Sequence, residues 1–513
     1  MQRAQEAFDA YKNIPAADRS LFLENIAGAI EQIREEAVAT AQEETHLPAV
    51  RLNGELTRTT TQLKMFAALL REGSWVEASI DTREAALPAK ADIRKMLVPV
   101  GPVIVFGASN FPFAFSTAGG DTASALAAGC TVVVKGHSAH ARTSALIFQA
   151  IEKAIGLAGM PPYTVQHVMG SGNTVGAALV KHPYAKGVGF TGSFSGGKAL
   201  VEYAQQREQP IPVFAEMSSI NPVVFYPDTV AKNAASLAAV FAGSITLGVG
   251  QFCTNPGVLF GIRSEAFDKF LDLLGEEISK VQPQQMLHSG ICVSYRKGVA
   301  TMLGQKGLEV KGRAMAGMLT GGGETGGRML KGTRGGGEGG ADAGARETEM
   351  GTLEAEAVLA VVSGAAFLQN PHLKEEVFGP YSLAVVCADR QELLRALQSL
   401  KGQLTSTIVG TAEDVAEYAD VIAVQRELAG RIILNQPPTG VEVNASMVHG
   451  GPYPATTDAR FTSVGATAIK RWVRPLCLQN FMETMLPDAL KNSNPSGILR
   501  LVNNQYTREA IHE

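Results

Sequence analysis

Apolar and polar positions follow two different rhythms along this chain. Within residues 1–80, Leu21, Leu23, Ile26 and Ile30 recur near a 3.6-residue period among charged positions, which predicts amphipathic helices. Near residue 93 the rhythm changes. The run I-R-K-M-L-V-P-V-G-P-V-I-V-F-G-A reads as a strand ending in a glycine turn. Helix and short buried strand then alternate. T-A-S-A-L-A-A-G-C (helix) precedes T-V-V-V-K-G (strand), and T-S-A-L-I-F-Q-A-I-E-K-A-I-G (helix) precedes V-Q-H-V-M-G (strand). T-V-G-A-A-L-V-K-H (helix), G-V-G-F-T-G (strand) and G-G-K-A-L-V-E-Y-A (helix) complete the series. This alternation predicts βαβ units around a parallel sheet. Such sheets bind ligands at the carboxyl ends of their strands, where Gly107, Lys135, Gly170 and Gly192 fall.

A second α/β region begins at N-P-V-V-F-Y, beyond Glu216, and holds Cys253, the helix E-A-F-D-K-F-L-D-L-L-G-E-E-I and the motif E-E-V-F-G-P. Residues 317–351 break the pattern: about two-fifths are glycine. Such a stretch buries too little apolar surface to offset its ordering entropy. It reads equally as a flexible surface insertion or as a locally shifted reading frame.

Composition narrows the class. With 513 residues the chain has room for two or three domains, and 45% hydrophobic with 18% charged residues fits a soluble globular enzyme. A net charge of -4 and a pI near 6.2 point to neither nucleic acid nor a membrane partner. Five dispersed cysteines, Cys130, Cys253, Cys292, Cys387 and Cys477, argue against a disulfide framework and for a reducing cytoplasm. No C-x-x-C or Cys/His cluster suggests a metal site. The opening M-Q-R-A-Q-E-A-F-D-A-Y is a polar helix pattern, not a signal peptide. No apolar run reaches the roughly 18 residues that span a bilayer.

Three segments carry chemistry: Cys253 in G-Q-F-C-T-N-P-G, Glu216 in F-A-E-M-S-S and Asn110 in G-A-S-N-F-P. A thiol, a carboxylate and an amide are the parts needed to attack a carbonyl, activate a water and hold an oxyanion. Each also has a plain structural reading. Cys253 would then be a buried thiol, Asn110 a turn residue before Phe111-Pro112, and Glu216 a strand-end carboxylate paired with Lys or Arg.

Taken together, these segments resemble the aldehyde dehydrogenase superfamily across nearly the whole chain outside the Gly-rich stretch. G-A-S-N-F-P-F-A-F-S, G-Q-F-C-T-N-P-G and H-G-G-P-Y-P-A-T-T look most like its 2,5-dioxovalerate (alpha-ketoglutaric semialdehyde) subgroup, with the NADP-dependent fatty aldehyde enzymes as near relatives. The resemblance implies an α/β fold: a Rossmann-like cofactor domain, a second α/β catalytic domain and a small oligomerisation element. Residues 1–92 would form the helical part of the cofactor domain, 93–218 the Rossmann-like domain, 219–435 the catalytic domain and 436–513 the oligomerisation segment. It also implies N-terminal strands that precede the first helix pair in relatives, so a shortened N-terminus is expected here.

The same resemblance implies roles. Cys253 is the nucleophile, Asn110 the oxyanion donor with the Cys253 N–H, and Glu216 the base that hydrolyses the thioester, with burial raising its pKa. Lys135 holds the adenosine ribose, with a solvated strand-end lysine as the plain alternative. Gly192 and Ser193 seat the pyrophosphate, Gly197 permits close approach, and Glu376 and Phe378 hold the nicotinamide ribose and ring. Ser138 stands where NAD-preferring relatives carry a Glu, and Lys198 is expected near the same phosphate, so NADP is expected over NAD. The other cysteines are read as structural. Expected partners are a small-molecule aldehyde and further copies of the chain, as a homodimer or homotetramer. A fatty aldehyde substrate, a CoA-acylating route and a catalytically silent binding protein are the alternatives.

Overall fold

The computed structural model describes residues 1–82, 90–314 and 353–512, so the Gly-rich stretch 317–351 lies outside the described residues. Four helices open the chain: Gln2–Tyr11, Ala16–Gln32, Arg34–Thr45 and Ala49–Glu72. Their apolar faces (Phe22, Leu23, Ile26, Ile30, Leu56, Leu63 and Phe66 among them) share one core with Val103, Val132 and Leu126. Leu21 departs from the expected stripe. It is exposed, and Phe22 takes the inward position.

The first parallel sheet has the order Val165–Val168, Val132–Lys135, Val103–Phe106, Gly187–Thr191, Val213–Glu216. Val103–Phe106 and Val132–Lys135 are buried at every position, as strands covered by helices on both faces must be. The chain runs outward from Val103–Phe106 to Val165–Val168 and then returns to the other flank with Gly187–Thr191. That reversal opens a crevice beyond Phe106, at Gly107.

The second sheet has the order Glu309–Arg313, Val358–Ser363, Tyr381–Cys387, Val258–Ile262, Val223–Phe225, Gln403–Val409, Ala429–Leu434. All its neighbours are parallel except Glu309–Arg313. The helices Pro227–Thr246 and Glu265–Lys280 cover it through Phe241, Phe267 and Phe270 against Phe225. Contrary to the sequence expectation, the stretch Pro227–Gly250 is long and apolar enough to cross a bilayer by length and composition alone, with mean hydropathy 1.4. Here Val230, Ala238, Phe241, Ala242 and Ile245 from that stretch lie in the core.

A third sheet brings the two ends of the chain together. Ile93–Pro99 lies between Val473–Gln479 and Ser79–Asp81, followed by Arg500–Val502 and Gln505–Thr507. The apolar run from Ile93 is therefore two strands in two sheets, not one. Gly101, at φ +136°, and Pro102, which has no N–H for a ladder, divide them. All five cysteines are free. Cys130, Cys292 and Cys387 are buried, whereas Cys477 is exposed on the outer strand Val473–Gln479.

Candidate active site

Cys253 follows the helix Pro227–Thr246 through a tight turn in which Gly248, Val249 and Gly250 all have positive φ. Gly250 admits no side chain, since a Cβ there would lie 2.3 Å from the carbonyl of Gly379. The peptide of Cys253 is clamped from below. Asn221 Nδ2 donates to the carbonyls of Cys253 (2.8 Å) and Asn255 (2.9 Å), while its Oδ1 accepts from Ser219 Oγ (2.8 Å) and Thr405 Oγ1 (3.1 Å). A fully satisfied buried amide of this kind fixes the geometry of what it holds.

Glu216 ends the strand Val213–Glu216, and its carboxylate is buried. Oε2 accepts from Ser463 Oγ at 2.8 Å, and Oε1 lies 2.9 Å from His449 Nε2. The same Nε2 is 3.3 Å from Cys253 Sγ. His449 is buried, and its backbone N–H donates to Thr462 Oγ1 at 2.8 Å. Thiol, imidazole and carboxylate thus lie within 4.8 Å of one another, a Cys/His/Glu cluster invisible along the sequence. Neither the strand-end pairing of Glu216 with Lys or Arg nor the expected rise in its pKa is found. Burial pushes the carboxyl up, but His449 and the Ser463 hydroxyl pull it below its ordinary value. Burial and the Glu216 carboxylate push the Cys253 thiol well above its ordinary value, against a counter-pull from Arg58.

Asn110 is buried after the strand Val103–Phe106. Its Nδ2 donates to the Gln251 carbonyl at 3.2 Å, and its own carbonyl accepts from Arg51 Nη2 at 2.9 Å. A cavity of about 570 Å³ connects Asn110, Glu216 and Cys253 with the strand-end residues Gly107, Gly192 and Ser193 and with Glu376 and Phe378. Burial pushes the Glu376 carboxyl up to about 7, against a counter-pull from hydrogen bonds to Ser218 and the Ser219 N–H. Ser193 caps the helix Phe194–Gln205, accepting from Gly196 N–H. Lys135 is buried at its strand end, which lowers its pKa, so it is not a solvated surface lysine. Ser138 is exposed, one residue beyond the cavity-lining His137.

Lys198 and Gly197 are not part of this cavity's lining. Lys198 lines a separate groove beside Tyr453 and Asp458, and its ammonium is 3.9 Å from Glu202. That groove is also lined by Val213 and Phe214 of the strand Val213–Glu216. Gly197 is buried against that strand, where a Cβ would meet Met217 Sδ at 2.6 Å. Its close approach is helix-to-sheet packing.

Sequence reasoning missed His449, Ser463 and the arginines of the helix Ala49–Glu72. His449 opens the H-G-G-P-Y-P-A-T-T run, which was a usable signal. Nothing local marks Ser463.

A half-buried thiol, a buried imidazole and a buried carboxylate beside the crevice of a nucleotide-type sheet define an enzyme that forms a covalent adduct with a carbonyl. The chain belongs to the aldehyde dehydrogenase family, whose profile matches residues 1–455, and it is an aldehyde-oxidising enzyme. It is 45% identical over 501 residues to "Alpha-ketoglutaric semialdehyde dehydrogenase 2" of Azospirillum brasilense, covering 97% of this chain and 89% of that one. It is 43% identical over 512 residues to "Alpha-ketoglutaric semialdehyde dehydrogenase" of Acinetobacter baylyi, covering 99% and 90%. Among solved structures, 3,6-anhydro-L-galactose dehydrogenase in complex with NAP shares the fold, with a TM-score of 0.72, 20% identity and coverage of 93% and 90%.

Proposed function

We propose that this chain oxidises alpha-ketoglutaric semialdehyde to 2-oxoglutarate, with NADP preferred over NAD as the electron acceptor. The observation that carries the chemistry is the contact of Cys253 Sγ with His449 Nε2, itself 2.9 Å from Glu216. The substrate follows from the names of the near-full-length relatives.

The residues around the crevice fit a nicotinamide dinucleotide. Lys135 is buried at a strand end with no ion pair among the described residues, the Ser193-capped helix N-terminus faces the cavity, and the cavity reaches Glu376 and Cys253. Lys135 and Ser193 would hold its phosphate-ribose part and Glu376 its second ribose. The bound dinucleotide supplies the hydride acceptor.

The chain's own groups do the rest. The Cys253 proton passes to the His449–Glu216 pair, and Sγ bonds to the aldehyde carbon. The carbonyl oxygen becomes an oxyanion held by Asn110 Nδ2 and the Cys253 N–H, which has no protein acceptor among the described residues. After oxidation a thioester joins the acyl group to Sγ. Once the pair has passed the thiol proton to solvent, it takes a proton from water as the water attacks the acyl carbon. The acid leaves, and the pair returns that proton to the departing Cys253 thiolate.

Ser138 favours NADP because it removes the like-charge repulsion a carboxylate would present to a 2′-phosphate. Among the described residues the outer strand Val473–Gln479 has no neighbour on its far side, which supports a homodimer or homotetramer. Five free cysteines fit a reducing cytoplasm.

The test is a substrate panel on purified protein with each cofactor. Alpha-ketoglutaric semialdehyde with NADP⁺ should give the highest kcat/KM. Preference for hexanal or longer aldehydes would favour the fatty aldehyde reading, and turnover only with added CoA would overturn the hydrolytic step.

A further inference from the structure

The helix Ala49–Glu72 carries Arg51, Glu55 and Arg58 at a spacing that puts all three on one face. This face meets the loop after Asn110. Arg58 lies over the rings of Phe115 (4.9 Å) and Phe111 (5.8 Å), and Arg51 over Phe252 (4.6 Å) and Phe111 (5.3 Å). Phe252 precedes the nucleophile, and the Phe115 ring is 6.1 Å from that of His449. The guanidinium of Arg58 is close enough for its charge to act on both Cys253 and Glu216. This aromatic wall is separate from the cofactor cavity, whose lining includes neither arginine.

The opposite charge that acts on Arg51 and most strongly on Arg58 is Glu55, without a direct ion pair. Arg51, Arg58 and Arg431 make no ion pair among the described residues. Glu55 stands between the first two but spends Oε1 on the backbone N–H groups of Phe113 (2.8 Å) and Ala114 (3.0 Å). A largely buried guanidinium with an unused hydrogen-bonding edge is costly, and an incoming anion would offset that cost.

The free edges differ among the three. Arg431 gives Nη1 and Nη2 to the carbonyls of Gly440 and Pro438, leaving Nε, and Arg51 gives Nη2 to Asn110. Arg58 alone keeps Nε and Nη2 together, both shut off from solvent and without a hydrogen-bond partner. That is the edge arginine offers to a carboxylate as a two-pronged fork. This molecule uses it in Arg94–Asp92 (2.8 and 2.9 Å), Arg34–Glu31 (2.8 and 2.9 Å) and Arg460–Asp458 (2.9 and 2.6 Å).

We propose that the Nε/Nη2 edge of Arg58 receives the carboxylate at the far end of the substrate, across the aromatic wall from Cys253, and so selects aldehydes that carry a terminal carboxylate. The assignment rests on the substrate reading above and adds the group that recognises it. Arg58 is a specificity determinant and takes no part in bond making.

The test compares wild type, Arg58→Met, Arg58→Gln and Arg58→Lys as full-length chains with native circular dichroism. The first readout is the ratio of kcat/KM for alpha-ketoglutaric semialdehyde over pentanal, which cancels any change in thiol reactivity. A charge-assisted fork lost from a buried site should lower that ratio by about 10- to 100-fold in Arg58→Met and Arg58→Gln, chiefly through KM. Arg58→Lys should fall between these and wild type. The second readout is protection of Cys253 from iodoacetamide by glutarate, expected in wild type and lost in Arg58→Met and Arg58→Gln. An unchanged ratio in a wild type that prefers the semialdehyde would overturn the Arg58 assignment and leave the function standing. A wild type that prefers pentanal, with glutarate protection that still depends on Arg58, would overturn the substrate reading and leave the anion subsite. Absence of protection in wild type would overturn the subsite.

Discussion

His449 Nε2 lies 2.9 Å from Glu216 Oε1 and 3.3 Å from Cys253 Sγ, so an imidazole stands between the carboxylate and the thiol. Glu216 is held ionised by this contact, not kept neutral by burial. The thiol, in turn, is protonated at rest and needs a local acceptor for its proton.

Replacing His449 by Gln should therefore remove that acceptor while keeping the side chain polar. The rate of Cys253 alkylation by iodoacetamide, followed against pH, should drop by at least about tenfold at neutral pH. An unaltered profile would mean the proton leaves by another route.

Cys253→Ala should abolish aldehyde oxidation and leave dinucleotide binding nearly intact, as read by fluorescence titration. Asn110→Ala removes one oxyanion donor and should lower kcat by about 10²–10³. A near-neutral Asn110→Ala would return that residue to a turn role beside Phe111-Pro112.

Glu216→Gln keeps the Ser463 hydrogen bond but cannot take a proton. Rapid-mixing kinetics should show a stoichiometric burst of reduced cofactor followed by slow thioester hydrolysis. Loss of the burst itself would place Glu216 earlier in the reaction.

Glu376 has the opposite linkage sign to an ion-paired carboxylate. Its pKa rises from an ordinary 4.5 to about 7 in the fold, so the native state holds a proton that the unfolded state releases. Its stabilising contribution is complete below pH 4.5 and is lost as pH rises to about 7. The wild-type Tm should decline over that window more steeply than that of Glu376→Gln, by differential scanning fluorimetry. If Glu376 must be ionised to hold a ribose hydroxyl, dinucleotide affinity should rise through the same window and the variant should not follow.

Ser138→Glu should reverse or flatten the preference for NADP⁺, mainly through its KM. With Lys198 outside the cavity lining, the wild-type ratio is expected to rest on Ser138 and to be near tenfold. Equal use of both cofactors by wild type would remove Ser138 from the 2′-phosphate site.

The local rhythm of the chain determined a great deal. Valine-rich runs covered on both faces can only be buried strands, and the Gly-Gln-Phe-Cys-Thr setting marked Cys253 because a thiol among turn formers is poor core material. What periodicity could not convey was which strand pairs with which. The run from Ile93 looked continuous, yet Gly101-Pro102 sends its halves to different sheets, since Val473–Gln479 pairs with the first half from the other end of the chain. The site follows the same rule. Ser463 and Arg58 carry no local mark of their chemistry, and the run that His449 opens does not show its partners, because their roles arise from what lies opposite them after folding. The pKa of Glu216 shows the reason most directly. Its strand predicted burial and hence a rise, but a histidine and a serine from the far end of the chain decided the sign, since electrostatics depends on distance in space and not along the sequence.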